Sequence, residues 1–257
     1  NETTVTVTQA DGSSVATVTV DNTIIRVITR SKPNELDLIT EVVKYIDMKI
    51  MITVFTSSYE MITREITSAP YLNGTIIITF EDNINNTLSN TTKTLDGFST
   101  EIVNELDNNS IILRRIEVSI PDETGIVTTT SHINNHDNTI TDSIERTNGY
   151  RFTTIKNSES LIIHSNEIYV PDPVTYLVTT NTMTINEIDN TITETIEITN
   201  GYRFTTLKDD ENNIIKTTEI ESENKQTGIV ITTTCEYSQN SKTIYETDRA
   251  NNILQET

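Results

Sequence analysis

Three histidines, one cysteine and several clusters of carboxylates in turns are the residues of this chain that could do chemistry. His132 and His136 flank Ile133-Asn134-Asn135 and are followed by Asp137 and Asn138, a spacing on which a metal ion could sit, while His164 stands alone. The pair occurs once in a chain that otherwise repeats itself, so a surface or loop role fits it better. Cys235 lies in the run Ile229-Val-Ile-Thr-Thr-Thr-Cys-Glu-Tyr237. With no second cysteine an intrachain disulfide is excluded, and a buried, inert thiol is expected.

Acidic turns recur at Glu81-Asp-Asn83, Asn135-His-Asp-Asn138, Asn186-Glu-Ile-Asp-Asn190 and Asp209-Asp-Glu211. Calcium takes roughly six to eight hard oxygens, and it is the one cofactor such turns would suit. None of them has the D-x-[DN]-x-[DN]-G order, however, and Asp and Asn are ordinary turn formers. Glycoside hydrolysis needs two carboxyls about 5 to 9.5 Å apart in a cleft, and the abundance of acids here singles out no pair. No nucleotide loop, His-Glu-x-x-His helix, nucleophile elbow or CxxC pair occurs. No catalytic, cofactor-binding or metal residue is therefore assigned, and the expectation is a protein that is not an enzyme.

The elements that carry these residues are tandem copies of one unit. Asp142-Ser-Ile-Glu-Arg-Thr-Asn-Gly-Tyr-Arg-Phe-Thr-Thr-Ile-Lys156 returns 52 residues later as Glu194-Thr-Ile-Glu-Ile-Thr-Asn-Gly-Tyr-Arg-Phe-Thr-Thr-Leu-Lys208. Weaker echoes keep nearly the same step: Glu65, Glu117, Glu167 and Glu219, each followed by Ile or Val, and Asp96-Gly-Phe98 before Asn148-Gly-Tyr150. A further series runs Asn22-Thr-Ile-Ile25, Gly74-Thr-Ile-Ile77, Gly125-Ile-Val-Thr128, Tyr176-Leu-Val-Thr179 and Gly228-Ile-Val-Ile231. The spacing divides the chain into a strand segment at 1–22, a divergent repeat at 23–74, repeats at 75–125, 126–176 and 177–228, and a partial repeat at 229–257. Residues 1–22 align with the part that the last copy lacks, so the segment would complete a repeat in cis or in trans.

Thr supplies 49 residues and Ile 38, and both favour strands because branching at Cβ suits a pleated surface. The expected fold is all-β: repeats of about 51 residues, each of four short antiparallel strands, in an elongated array or solenoid, with a five-bladed propeller as the alternative. In the fourth repeat the strands read as Thr175 to Met183, Thr191 to Thr199, Tyr202 to Leu207 and Ile214 to Glu219. Alternation puts Ile192, Glu194, Ile196 and Ile198 on one face and Thr193, Thr195 and Glu197 on the other. Asn148-Gly149 and Asn200-Gly201 signal hairpins in which both residues tolerate positive φ. Tyr150, Phe152, Tyr202 and Phe204 are expected to pack between repeats, with Arg151 and Arg203 facing solvent or a neighbouring repeat's acids. One segment competes with the strand register: Glu35 to Ile46, after Pro33, has the spacing of an amphipathic helix.

A net charge of −20 opposes binding to nucleic acid or anionic membranes, which need cationic neutralisation. No run of about 18 apolar residues occurs, so membrane insertion is not expected. The missing initiator methionine before Asn1 fits removal of a leader and fits a shortened chain equally. Sequons at Asn1, Asn73, Asn85, Asn90 and Asn108 would be glycosylation sites in a secreted protein. These features point to an extracellular or cell-surface structural or adhesive protein that self-associates into a filament or homo-oligomer through strand edges. A lectin-like propeller that binds glycan, or a viral fibre shaft around a three-fold axis, are the competing expectations.

Overall fold

The computed structural model describes residues 1–105, 112–237, 241–247 and 253–256. They fall into two compact units, Asn1–Pro121 and Asp122–Thr257. The first holds β1 (Glu2–Thr8), β2 (Ser14–Val20), β3 (Thr23–Arg30), β4 (Leu38–Tyr45), β5 (Ile50–Thr56), β6 (Met61–Thr67), β7 (Ile76–Asp82), β8 (Thr87–Lys93), β9 (Ser99–Glu105) and β10 (Ile112–Val118). The second holds β11 (Thr128–Asn134), β12 (Ile140–Arg146), β13 (Arg151–Lys156), β14 (Ile162–Ile168), β15 (Thr179–Ile185), β16 (Ile192–Ile198), β17 (Arg203–Lys208), β18 (Ile214–Ile220), β19 (Val230–Glu236), β20 (Ser241–Thr247) and β21 (Ile253–Glu256). Within each unit every strand pairs antiparallel with the next in sequence. Each unit is an all-antiparallel array of four-stranded repeats, not closed into a barrel.

The pairing across repeat boundaries rules out the propeller. Blades are separate sheets, whereas β6 is laddered to β7, β14 to β15 and β18 to β19. The segment with helical spacing is a strand: Asn34 closes a short turn by accepting from the Leu36 and Leu38 N–H groups, and β4 begins at Leu38. Its β-branched residues, paired on both sides by β3 and β5, override the helical period. In the fourth repeat the first strand starts at Thr179 rather than Thr175, because Tyr176 takes φ 58° in the loop before it.

The turns explain the repeat. Asn22, Gly74, Gly125, Tyr176 and Gly228, the first residues of the recurring series, all have positive φ between 58° and 79°. Each ends the connection that leads into the first strand of a repeat. The Asn-Gly hairpins are three-residue loops and not two-residue ones: the Gly149 N–H donates to Arg146 O at 3.0 Å, and the Arg146 N–H donates to Tyr150 O at 2.9 Å. Only the glycines are left-handed there, Gly149 at φ 96° and Gly201 at 94°, while Asn148 and Asn200 accept from the N–H groups of Tyr150 and Tyr202. A Cβ at Gly201 would meet nothing within 4 Å, so the cost of Gly201→Ala is backbone strain alone, about 1–2 kcal/mol. Urea denaturation should show that loss, and an unchanged midpoint would mean that the turn relaxes to another type.

Little is buried. The chain exposes 16772 Å², against about 11,400 Å² expected of a globular monomer of this mass. Among the described residues Val18, Ile39, Val43 and Phe55 are the buried apolar side chains, and the register puts all four on one face of β2–β5. Phe55 is stacked on Tyr59 with ring centroids 5.4 Å apart, and the Arg30 guanidinium lies over both rings while it pairs with Glu41 at 2.6 Å. Elsewhere the sheets are single layers held by cross-strand neighbours on both faces. Among the described residues no helix is long and apolar enough to cross a membrane.

Candidate interaction surfaces

Register assigns every strand residue of the second unit to one of two faces. On one of them, opposed residues form an unbroken row over ten strands: Ser131, Ser143, Thr153, Asn166, Thr182, Thr195, Thr205, Thr218, Thr234 and Thr243. Neighbours in this row share hydrogen bonds, Ser131 with Ser143 at 2.7 Å and Thr195 with Thr205 at 3.2 Å. Beside it runs an ionic row in which Arg151 pairs with Glu145 at 2.9 Å and Arg203 with Glu197. These partners belong to the same repeat, not to a neighbouring one, because the three-residue hairpin sets β12 directly against β13 and β16 against β17.

The opposite face carries the aromatics, as alternation predicts. Its central row reads Thr130, Ile144, Phe152, Glu167, Asn181, Ile196, Phe204, Glu219. The tyrosine hydroxyls are tied within their own repeats, Tyr150 to Glu167 at 2.9 Å and Tyr202 to Glu219 at 3.2 Å. The hydrogen bond to Glu167 raises the Tyr150 pKa, and desolvation followed by Glu219 raises that of Tyr202. Phe152 and Phe204 do not stack; they stand four strands apart at the ends of a trough of about 370 Å³ across β13–β17. A second concavity of about 700 Å³ lies at the turn end of the same sheet, floored by Ile162, Ile185 and Ile192 and rimmed by Glu159, Glu187 and Asp210.

The candidate metal residues are engaged otherwise. His132 Nδ1 is 2.6 Å from Asp142, and the same carboxylate accepts from Lys156 Nζ at 2.7 Å. Burial opposes ionisation of Asp142, but these two partners lower its pKa overall. His136 stands apart in the turn after β11, and His164 Nδ1 is 2.9 Å from Thr184 Oγ1. Among the described residues no group of three or more His, Cys, Asp or Glu is placed to hold a metal ion. Cys235 is a half-buried free thiol in β19, set against Thr217 and Lys242. Of the sequons, Asn73 and Asn85 lie in exposed turns, Asn90 is half-buried in β8 and accepts from Thr79, and Asn108 lies outside the described residues.

The turn carboxylates are aimed at their own loops. Asp209 accepts from the Asn213 side chain and from the N–H groups of Asn213 and Glu211, and Asp137 accepts from the hydroxyl and N–H of Thr139. The Asn213 amide is the main cause of the lowered pKa of Asp209, and the Thr139 hydroxyl that of Asp137; Asp122 and Asp189 are lowered in the same way, by Thr124 and by the Thr191 N–H. A depressed carboxyl contributes stability that is whole above the ordinary Asp pKa of about 3.9 and is lost as pH falls through the lowered value. The far-ultraviolet circular dichroism should therefore hold from pH 7 to 5 and decay below about 4. Asn makes the same bonds at 148 and 200, so Asp→Asn at 122, 137, 189 and 209 should flatten that decay; an unaltered acid transition would show that these turns do not govern it.

β1 is exposed along its whole length, with Val5 and Val7 at 61% and 63%, and among the described residues it is laddered on one side only, to β2. That ladder runs from Glu2 to Thr8 without a bulge, and no Lys or Pro interrupts the strand. No protein-family model matches this chain, and no curated protein resembles it in sequence.

Proposed function

We propose that this protein is a structural subunit that assembles with further copies of itself through β-strand edges into a fibre or surface appendage, outside the cell and without catalysis. The observation that carries the reading is β1: a seven-residue strand without a bulge that, among the described residues, is laddered on one side only and carries no lysine or proline. Natural sheets blunt such edges with lysine, proline, bulges or covering segments, because unpaired N–H and C=O groups template another strand. Here Glu2 is the only charge on the strand, and it is already paired with Arg26 at 3.0 Å. Strand addition satisfies backbone groups without a side-chain code, and a heterologous contact of this kind propagates.

The rest of the molecule supports the same reading. A repetitive sheet with few buried side chains is suited to spanning distance and displaying rows of side chains, and the hydroxyl, ionic and aromatic rows repeat along it. The location outside the cell is read from the sequons Asn73 and Asn85, which lie in exposed turns. The test is assembly of the purified chain, followed by sedimentation and electron microscopy, against a variant whose β1 edge carries lysines.

A further inference from the structure

We propose that the trough between Phe152 and Phe204 is a binding site for a neutral oligosaccharide lying across the strands. Its walls come from one face of β13–β17. Phe152 and Phe204 close the two ends, about 19 Å apart as four strand spacings, and Ser165, Asn181, Met183 and Thr206 lie between them. A volume of about 370 Å³ is in the range of small-ligand sites.

The chemistry of the lining selects the ligand. A pyranose ring offers an apolar C–H face and a rim of hydroxyls, so it needs flat apolar platforms and fixed hydrogen-bonding groups between them. Two phenyl rings supply the platforms. Asn181 supplies a donor held in place: its Nδ2 donates to Tyr169 Oη at 3.2 Å and carries a second N–H for a ligand oxygen, while its Oδ1 is covered and has no partner. Tyr169 and Tyr150 in turn both donate to Glu167, one to each carboxylate oxygen at 2.9 Å, which fixes that side chain against the trough. The second carboxylate, Glu194, is paired with Lys208 at 2.8 Å. A cationic amine would need an uncommitted carboxylate between the rings, and both acids here are held by partners.

The array also explains why the site falls where it does. Phe152 and Phe204 are the same position in successive repeats, as are Glu167 and Glu219, so the spacing of platforms is the spacing of the repeat. Asn181 stands where the preceding repeat has Thr130 and the following one Thr233, and among these three only the amide carries two N–H donors.

The test is isothermal titration of the full chain with three probes: the β-1,4-linked hexamers of glucose and of N-acetylglucosamine, and tetramethylammonium. Binding of either hexamer, weakened about tenfold by Phe204→Ala and by Asn181→Ala but retained by Phe204→Tyr, is the expected result. The conservative tyrosine variant separates loss of the platform from loss of the fold. Binding of tetramethylammonium alone, or of no probe, would overturn the assignment. Edge assembly is read separately by sedimentation, so either proposal can fail without the other.

Discussion

Phe55→Ala is expected to be the most destabilising single truncation in the chain, by about 3 kcal/mol, the lower end for a buried phenylalanine. Phe55 is 7% exposed, stacks on Tyr59 and lies under Arg30. Removing it leaves a gap beside Ile39, its opposed neighbour, and frees the guanidinium that caps both rings. The equivalent change at Phe204, half-buried on an open single-layer face, removes much less covered surface and should cost under half as much. Hydrogen exchange should place the effect: faster exchange through β2–β5 in the first variant, with the second unit's strands unaffected. Equal losses from both variants would mean that the small core around Val18, Ile39, Val43 and Phe55 has no special weight.

The second large effect is on assembly. Val5→Lys with Val7→Lys should abolish self-association while leaving the fold intact, since both side chains are more than half exposed and neither contributes to the buried cluster. Two cations on an edge are a common device against strand pairing, and the shift should be at least about tenfold in the concentration needed to assemble, or some 1.4 kcal/mol. Salt gives an independent handle. Copies that each carry −20 repel one another, so wild-type assembly should strengthen as added salt shortens the screening length, to about 8 Å at physiological ionic strength. Assembly of the double variant at wild-type concentrations would place the contact elsewhere on the molecule.

Much of this architecture was legible in the sequence because it rests on local chemistry. The recurring Asn22, Gly74, Gly125, Tyr176 and Gly228 mark left-handed positions, and the alternation around Ile192–Ile198 and Tyr202–Leu207 assigns faces that the register reproduces. Tyr176 shows the limit of that signal: a tyrosine at φ 58° does not advertise a turn, and the strand was expected to begin at Thr175, four residues before β15 does. The hairpin class was not legible either, since Asn-Gly suits both two- and three-residue loops and the choice is made by backbone bonds such as that from Gly149 to Arg146.

Whether successive repeats share a ladder was least readable of all. Ladders such as β6 with β7 and β14 with β15 are made by backbone groups that every residue carries. The buried cluster was hidden for a related reason. Val18, Ile39, Val43 and Phe55 look like any other apolar residues in alternating strands, and only the register of β2–β5 brings them to one face. The trough on the aromatic face combines both cases: Phe152 and Phe204 stood out as repeated residues, but the Asn181 amide held between them had no sequence signal.

On the proposed reading, strand edges join copies of this chain. Negative-stain electron microscopy of the purified protein, read beside sedimentation velocity over a range of concentration and salt, tests it most directly. Filaments or rods that lengthen with concentration and are lost in the Val5→Lys/Val7→Lys variant are the predicted result. A single monomeric species at every concentration and salt, indistinguishable from the variant, would contradict it.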